Sequence, residues 1–560
     1  MSPDDVRARP PAAQRGSRLT TRSTAARTLL ALLLAAGAVL TFARLDDRYL
    51  WEDEAENALL SHNVIDVGLP VARHGGHVIS QGCGFDADEN YLWTFHAWLP
   101  MYLTAASFKA FGVSTFTARL PFALAGFLMI PTLYLVGRRL FRDGRIALLA
   151  CVFLTLSVPF LLHARQSRYY AIAALAGVWM LHFFVGTVEG RRWAPVGLVA
   201  ASTVMVHANH PMFPATFLAL LVAFAVVGLE RRALGRLLGA AAAVLVVNAP
   251  LLAIYGTGWV VAFGAPSSAP TWATVQAALD VFLIYLRRID FVALPVTLLL
   301  AFTVWLIREG REAVWGSADF RRCIFLLVFV AAYVATLAPL PTVFLRYVVH
   351  LLPALALVQA YVLVTVGVRR PIVATVAAIV LLTSDVAHGW LSGVAHRLEP
   401  AQPAVRWPLA WYVYEITHDF EGPIEAIVGH LRAHARPGDR VYISYGDGPI
   451  RFYTGLEVRG GQACQSPVVF PPPEWVIIRS FFRSTNTAPG YAEDVQRHIR
   501  YVREEIPWRL YQRIELPVVD TVWENIPEPQ WHHFWAPASG SRVVLHRRVA
   551  GPGIDPQTGR

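Results

Sequence analysis

Four carboxylic acids lie within six residues of each other, directly after the first apolar run of the chain. They stand in the stretch Trp51-Glu52-Asp53-Glu54-Ala55-Glu56. Such a cluster is typical of the solvated start of a loop, but at a membrane surface it also offers a carboxylate that can act as a general base. Asp86, Asp88 and Glu89 follow in the same segment, with the imidazole of His96 close behind. The segment therefore combines candidate bases with groups that can support them.

Arginine and histidine recur in two short segments that separate apolar runs. One reads His163-Ala164-Arg165-Gln166-Ser167-Arg168-Tyr169-Tyr170, and the other contains Arg346, Tyr347 and His350. A guanidinium group binds a phosphate through two parallel hydrogen bonds. One such arginine alone is explained by a side chain that extends to the lipid headgroups, but several beside an acidic loop favour an anion site. On a helix Arg346 and His350, four residues apart, would share a face.

The composition places these residues in a membrane protein. Of the 560 residues, 55% are hydrophobic and only 16% are charged, whereas soluble proteins carry about 25% charged residues. The mean hydropathy is +0.43. The net charge of +10 comes from short arginine clusters between long apolar runs, a pattern typical of the cytoplasmic loops of membrane proteins. We therefore expect neither an ordinary soluble enzyme nor a protein that binds nucleic acid.

Eleven apolar runs have about the length needed to cross a membrane. They are 29–43, 119–138, 146–163, 169–188, 194–207, 211–229, 236–255, 291–307, 323–340, 346–367 and 371–390. The apolar segment 91–111 is predicted to lie along the outer membrane surface, because only then do the arginine clusters between runs fall on the cytoplasmic side. This topology puts the N-terminus inside and the C-terminal region outside.

The predicted domain organisation has three parts. They are a cytoplasmic tail at 1–27, a transmembrane module at 28–390 with a first outer loop at 44–118, and an outer domain at 391–560. After Trp390 the composition becomes that of a soluble protein. Strands are predicted near 440–444, 475–481 and 542–547, and helices near 425–435 and 491–501, so we expect a small α/β domain. It would serve as an acceptor-recognition element or as a structural cap.

Two further features concern the outer side. The predicted outer loop 256–290 carries Arg287 and Arg288 with several aromatic residues, which suits contact with a lipid headgroup or a sugar. The four cysteines lack the spacing of a metal site. Cys83 and Cys464 would lie on the same side of the membrane, so a disulfide between them stays open.

Together these segments resemble the lipid-linked sugar transferases of the GT-C superfold. The nearest likeness is to protein O-mannosyltransferases and lipid A aminoarabinose transferases, that is, to glycosyltransferase family 39 and its bacterial relatives. The resemblance covers roughly residues 25–390. It rests on Trp51 to Ala55, on Phe111-Gly112 with Thr117 to Pro121, on Arg165 to Ala171, and on Arg346-Tyr347 with Leu352 to Leu355. It implies a polytopic α-helical protein with about eleven transmembrane helices and a C-terminal α/β extracytoplasmic domain.

The resemblance also implies an inverting glycosyltransferase of the bacterial cytoplasmic membrane. Its donor would be a sugar on a polyprenyl phosphate, and its acceptor a hydroxyl group of a glycan, lipid or protein on the outer side. Asp53 would take the proton of the acceptor hydroxyl, with Glu54 as the second acid of the catalytic pair. A phosphate leaving group needs no proton, so cationic side chains suffice to stabilise it.

The remaining candidates divide by role. The donor-phosphate ligands would be Arg165, Arg168, Arg346, Tyr347, His350, Arg287 and Arg288. The acceptor-side or supporting residues would be Glu56, Asp86, Asp88, Glu89, His96, Tyr169 and Tyr170. No cofactor is required by this chemistry, although a divalent metal is compatible with it.

Several other readings stay open. Relatives often carry an acid in the turn that here reads Arg165 to Tyr170, and its absence leaves a non-catalytic scaffold for envelope assembly among the alternatives. The others are a glycan polymerase or ligase and a flippase or transporter of lipid-linked sugars. The identities of the sugar and of the acceptor are not set by these residues.

Overall fold

A computed structural model describes the chain as a bundle of helices followed by a small β-sheet. The described residues are 12–74, 77–81, 86–228, 231–263, 272–310, 314–340, 343–390, 405–419, 421–461, 471–480, 491–521, 527, 532 and 540–549.

The helices of the bundle follow one another with short connections. In chain order they are α1 (Ala12–Phe42), α2 (Glu52–Val67), α3 (Leu99–Phe111), α4 (Thr115–Phe141), α5 (Gly144–Thr155), α6 (Val158–Ala164), α7 (Tyr170–Val188), α8 (Ala194–Ala208), α9 (Met212–Val227), α10 (Arg231–Phe263), α11 (Trp272–Val292), α12 (Val296–Trp305), α13 (Ala318–Leu337), α14 (Leu352–Gly367) and α15 (Pro371–Thr383). A π-helical turn at Leu306–Gly310 extends α12, and the 3₁₀ turns Leu345–Tyr347 and Val349–Leu351 precede α14.

Within the described residues, six apolar helical stretches are long enough to cross a membrane. They are Thr24–Phe42, Thr115–Phe141, Tyr170–Val188, Arg232–Tyr255, Ala318–Leu337 and Val349–Gly367. Two bent pairs raise the number to eight if each pair is one span. The helices α8, α9 and α15 are apolar but shorter. The chain is thus a multi-pass membrane protein, as predicted, while the count of eleven crossings stays a prediction.

The bends have local causes. The helices α5 and α6 meet at 65° because Ser157 caps α6 by accepting a hydrogen bond from Phe160 N, and Pro159 stands in the first turn of α6. The helices α11 and α12 meet at 81°, where Pro295 precedes α12 and Asp290 accepts a hydrogen bond from Val296 N at 2.7 Å.

The prediction of a loop at 256–290 is wrong for the residues that the structure describes there. There α10 continues to Phe263 and α11 occupies Trp272–Val292. Phe282, Tyr285 and Ile289 recur at a spacing of three and four residues and pack into the helical core. Arg287 and Arg288, which were predicted to contact a lipid headgroup or a sugar, belong to this amphipathic helix.

The segment 44–118, which was predicted to be the first outer loop and is called the first outer segment below, is also more ordered than a solvated loop. Three acids occupy the first turn of α2, where the partial positive charge of a helix N-terminus stabilises anions. The helix packs on α3, and a two-stranded sheet of β1 (Arg73–His74) and β2 (His77–Val78) lies between them in the chain. Glu52, Asp53, Glu54 and Glu56 are all buried.

The C-terminal region contains a five-stranded mixed sheet. Its strands are β3 (Arg440–Ile443), β4 (Glu457–Gly460), β5 (Trp475–Ile477), β6 (Tyr511–Val519) and β7 (Arg542–Arg548), in the order β4-β3-β5-β7-β6. The strand β3 is parallel to β4 and β5, and β7 is antiparallel to β5 and β6.

Helices complete this region, which confirms the predicted α/β character. They are α16 (Pro408–Glu415), α17 (Pro423–His434), α18 (Asp447–Thr454) and α19 (Tyr491–Arg500), followed by a π-helical turn at Tyr501–Glu505 and a 3₁₀ turn at Trp508–Leu510. The helix α17 packs on the sheet, whereas α18 packs on α2 of the first outer segment. The boundaries of the three predicted domains stay predictions.

Candidate active site

Asp53 lies at the centre of a cluster formed by three distant segments. Its Oδ2 atom is 2.9 Å from Arg346 Nη1 and 3.7 Å from Arg168 Nη2. Its Oδ1 atom accepts a hydrogen bond from Gln81 Nε2 at 2.9 Å. Only 6% of Asp53 is exposed. The carboxylate is thus oriented from both sides by donors that the sequence separates widely.

Glu56, one helical turn further along α2, shares Arg168 with Asp53. Arg168 Nη1 donates to Glu56 Oε1 at 2.8 Å and to the Asp53 carbonyl at 3.1 Å. Burial raises the pKa of Glu56 to about 8, with Arg168 opposing the shift and Asp53 adding to it. Glu56 is therefore a neutral acid at neutral pH. The hydrogen bond survives this protonation because the carbonyl oxygen of the acid still accepts.

His96 closes the cluster on a third side. Its Nε2 atom lies 3.5 Å from Arg168 Nη2, and its Nδ1 atom lies 3.7 Å from Glu56 Oε1. Burial lowers the pKa of His96, and the charges of Arg168 and Arg346 lower it further. The imidazole is consequently neutral, so its contact with Glu56 is not an ion pair.

Arg346 lies in the 3₁₀ turn Leu345–Tyr347, with its guanidinium carbon 4.1 Å from the ring centroid of Phe344. Such a cation–π contact holds a guanidinium group in place without using its N–H donors.

The expected shared face of Arg346 and His350 does not form. Two separate 3₁₀ turns, Leu345–Tyr347 and Val349–Leu351, replace the helix there, and Val348 between them has non-helical dihedrals (φ −116°, ψ 1°). His350 instead contacts Thr216 Oγ1 at 3.4 Å, and its ring centroid lies 4.4 Å from that of Tyr333.

Glu54 adjoins Asp53 in sequence but has different partners. Arg119 Nε and Nη2 donate to its two carboxylate oxygens at 2.8 and 2.7 Å, and Ser167 N donates to Oε1 at 2.7 Å. Arg119 also donates to the carbonyls of Leu45 and Arg48 at 2.9 and 2.7 Å. These contacts hold the first outer segment on α4 and on the turn that carries Arg168.

Arg165 makes its hydrogen bonds at the end of α1 and not to Asp53. Its guanidinium group donates to the carbonyls of Thr41, Ala43 and Arg44 at 3.0, 2.8 and 2.9 Å. These carbonyls lie at and just beyond the C-terminal end of α1, where a helix leaves acceptors without intrahelical partners. Arg287 and Arg288 are half-buried on α11, and none of the contacts of Asp53 described above involves them.

The three later acids of the first outer segment separate into two groups. Asp86 is buried, and its Oδ2 atom accepts hydrogen bonds from Gln81 N at 2.8 Å and from the Ser80 hydroxyl. It therefore holds the segment from which Gln81 reaches Asp53. Asp88 accepts from backbone N–H groups at 2.9 and 2.8 Å in an exposed turn, and Glu89 is exposed beside it.

A cavity opens next to this cluster. Its polar walls include His96, Tyr169, His210 and Tyr347, and the rest of its lining is largely apolar. Tyr170 lies buried behind Tyr169, with ring centroids 4.6 Å apart. Burial lowers the pKa of His210 to about 4, so it faces the cavity as a neutral ring. Such a mixed lining suits a ligand with both polar and hydrocarbon parts.

Several contributing residues were not among the predicted site residues. Gln81 carried no recognisable signal. Arg119 stood in the quoted stretch Thr117 to Pro121, without a role attached to it. Gln166 accepts a hydrogen bond from the Trp51 indole, and Asn57 donates to Ser167 Oγ at 3.0 Å. These buried amide and hydroxyl contacts join α2 to the turn before α7.

The structure also bears on the metal site and the cysteine pairing that the sequence left open. In the part of the chain that the structure describes, no three His, Cys, Asp or Glu side chains are placed to hold a metal ion. The compatibility with a divalent metal stays a prediction. Cys151 and Cys323 are buried free thiols. Cys83 and Cys464, whose pairing stayed open, lie outside the described residues.

The fold and the site define a class: a multi-pass helical membrane protein with a carboxylate–arginine cluster beside the ends of several helices. Residues 95–255 match the family model of dolichyl-phosphate-mannose-protein mannosyltransferases. The description of that family names a sugar transferase, in agreement with the predicted enzyme class.

Two solved structures are similar over nearly the whole chain. ArnT from Cupriavidus metallidurans bound to undecaprenyl phosphate has a TM-score of 0.54 at 15% identity, covering 92% of this chain and 97% of ArnT. The apo state of the same protein has a TM-score of 0.56 at 15% identity, covering 93% and 98%. This likeness confirms the predicted fold. A comparison with curated protein sequences finds no match.

Proposed function

We propose that the protein is an inverting glycosyltransferase that moves a sugar from a polyprenyl phosphate to an acceptor hydroxyl. The observation that carries the proposal is Asp53, a buried carboxylate held between Arg346, Arg168 and Gln81 beside a partly apolar cavity. The matched family, whose description names a dolichyl-phosphate sugar, and the ArnT structure bound to undecaprenyl phosphate support the choice of donor.

The charges of the cluster suit a glycosyl phosphodiester. With Glu56 neutral, the side chains of Asp53, Glu56, Arg168 and Arg346 sum to one positive charge. The singly charged donor phosphate brings the sum to zero. An anion of this charge is therefore the ligand that the cluster balances, whereas a neutral sugar would leave it charged.

The summed charge of the cluster and the substrate stays at zero through the proposed reaction. The acceptor oxygen attacks the anomeric carbon as the bond between that carbon and the phosphate oxygen breaks. Asp53 takes the acceptor proton and becomes neutral, while the released lipid phosphate gains the second negative charge. Arg346 and Arg168 stabilise this growing charge by their positive charges and hydrogen bonds. Attack from the face opposite the phosphate inverts the anomeric centre without a covalent intermediate.

Glu54 has a different part in this mechanism. Both of its carboxylate oxygens are occupied by Arg119, and Ser167 N adds a third hydrogen bond. It therefore positions the first turn of α2 rather than accepting the substrate proton. Asp53 Oδ1 accepts only the Gln81 hydrogen bond among the contacts described above, which leaves a lone pair for the acceptor hydroxyl.

We assign the site to the outer side of the membrane, with the N-terminus in the cytoplasm. The helix α4 begins at Thr115, beside Arg119 and Glu54, and its 27 residues span about 40 Å. Arg138, Arg139 and Arg142 stand at the opposite end. Arginine-rich loops are typically cytoplasmic, which favours an outer location for the cluster and for the C-terminal sheet.

The test is sugar transfer in membranes supplied with radiolabelled polyprenyl-phosphate sugars of several kinds. We expect one donor to be used and Asp53→Asn to lower kcat by about 10²-fold or more. Asp88→Asn removes an exposed acid from the same segment and serves as the matched control, with unchanged kcat. If Asp53→Asn keeps the wild-type rate, a residue other than Asp53 is the base. Failure of every donor with a correctly folded protein would oppose the proposed activity itself.

A further inference from the structure

The short helix α18 of the C-terminal region contacts the first outer segment at both elements that orient Asp53. One is the stretch 49–52, from which α2 begins. The other is the stretch 77–81, which ends at Gln81. No role in the chemistry was assigned to this helix by the sequence or by the likeness to other proteins, yet its contacts meet beside the proposed base.

Tyr453 makes the contact closest to the start of α2. Its hydroxyl oxygen accepts a hydrogen bond from Leu50 N at 2.8 Å and lies 2.6 Å from Thr115 Oγ1. Its ring stacks on that of Tyr49, with centroids 4.0 Å apart. Leu50 N is a backbone group three residues before Asp53. The tyrosine therefore fixes the backbone that enters the first turn of α2 and ties it to the start of α4.

A second contact joins the two helices end to end. The residue before α18, Gly446, has no side chain to cap the helix, and Glu52 Oε1 accepts a hydrogen bond from Gly448 N at 3.2 Å in its place. Burial and the neighbouring Asp447 both raise the pKa of Glu52. A Cβ atom on Gly448 would lie 3.2 Å from Glu52 Oε1 and 3.3 Å from Ala55 Cβ. Glycine permits this close approach.

The third contact reaches the Gln81 segment. Arg451 Nη1 donates to the Val78 carbonyl at 2.8 Å, and Nη2 donates to the Val458 carbonyl at 2.9 Å. Arg451 thus ties β2 to β4 of the C-terminal sheet. Val78 lies three residues before Gln81, whose amide holds Asp53 Oδ1. Tyr453 and Arg451 therefore reach Asp53 from two independent directions.

We propose that α18 is a positioning element for the transfer reaction, and that Tyr453 and Arg451 fix the orientation of the Asp53 carboxylate. This inference rests on the proposed function. A displacement of the base by about 1 Å can lower a rate about 10²-fold, so these contacts act on kcat. They lie away from Arg168 and Arg346, so binding of the lipid phosphate does not depend on them.

The experiment compares Tyr453→Phe with Tyr511→Phe in the full-length protein. Tyr511 is a fair control because its hydroxyl also makes a hydrogen bond within the C-terminal region, to the Pro473 carbonyl at 2.6 Å. We expect Tyr453→Phe to lower kcat about tenfold while the Kd for polyprenyl phosphate alone is unchanged. Tyr511→Phe leaves both quantities at their wild-type values.

A double-mutant cycle separates positioning from general destabilisation. If Tyr453 acts through Asp53, its substitution has no further effect on the residual rate of Asp53→Asn. Equal loss of rate in both backgrounds, or weaker binding of polyprenyl phosphate in Tyr453→Phe, would overturn the positioning role. Arg451→Lys provides a second variant and should lower kcat in the same manner.

The two proposals fail in different ways. If Asp53→Asn is inactive and Tyr453→Phe is fully active, the positioning role is wrong and the glycosyltransferase stands. If Asp53→Asn keeps its activity, the proposed base itself is wrong, whatever Tyr453→Phe shows.

Discussion

Arg346 and Asp53 form an ion pair of 2.9 Å across 293 positions of the chain. This contact joins the first turn of α2 to the 3₁₀ turn before α14. Because the same guanidinium group lies over Phe344, it is held from one side by an aromatic ring and from the other by the carboxylate. An arriving phosphate therefore meets a preorganised cation whose partner is the proposed base.

Replacement of Arg346 should lower the transfer rate and weaken binding of the donor phosphate. We expect Arg346→Lys to lower kcat by about 10²-fold or more, since a lysine cannot offer the two parallel hydrogen bonds of a guanidinium group to a phosphate. Binding of polyprenyl phosphate to purified protein should weaken as well. Arg138→Lys, at the far end of α4, is the control and should bind normally. Equal binding by both variants would remove Arg346 from the phosphate site.

Arg165 and Arg168 should behave differently although they are three residues apart. Arg168→Gln leaves Asp53 and Glu56 without their shared donor, so we expect activity and phosphate binding to fall. Arg165→Gln removes the hydrogen bonds to the carbonyls at the end of α1, so we expect a lower melting temperature with the Kd for polyprenyl phosphate unchanged. Loss of phosphate binding in Arg165→Gln at unchanged stability would restore Arg165 as a phosphate ligand.

The Glu54–Arg119 pair should dominate the stability of the first outer segment. Removal of one partner from a buried ion pair costs about 3–5 kcal/mol, so Arg119→Met should lower the melting temperature strongly. The exposed pair of Arg145 and Asp143 provides the comparison, and Arg145→Met should have an effect of at most about 1 kcal/mol. Similar melting temperatures for the two variants in the same detergent would contradict the central role of the buried pair.

Glu56 should set an alkaline limit on activity. Its pKa is raised by burial to about 8, so the cluster loses its net positive charge as the pH rises through that value, and donor binding weakens. Glu56→Gln imitates the neutral acid and should remove the alkaline fall in kcat/KM. Glu89→Gln, in the exposed part of the same segment, should keep the wild-type profile.

The raised pKa of Glu56 also makes the free energy of unfolding depend on pH. The folded protein holds the Glu56 proton more tightly than the unfolded chain, so this stabilising contribution is complete below the ordinary glutamate pKa of about 4.5. It declines as the pH rises toward 8. Thermal melts between these pH values should show the decline in the wild type, and Glu56→Gln should lack that part of it.

The sequence by itself determined the helical bundle and the chemistry of the charged groups at one of its ends. Apolar runs such as 119–138 and 169–188 became α4 and α7 within a few residues, because hydrophobic length and periodicity are local properties of the chain. The alternation at 440–444 likewise predicted a strand. The acid cluster that begins at Glu52, and the turns with Arg168 and Arg346, were recognised as candidates because charged groups between apolar runs are rare and conspicuous.

Only the tertiary structure decided which of these groups meet. Arg165 and Arg168 share a turn, yet one binds the end of α1 and the other binds Asp53. Asp53 and Glu54 are neighbours, yet Arg119 binds Glu54 and does not bind Asp53. Partners separated by more than a hundred residues are set by the packing of helices, which leaves no trace in local spacing. Gln81 shows this most plainly, since an uncharged side chain acquires its role only from the carboxylate that the fold places 2.9 Å away.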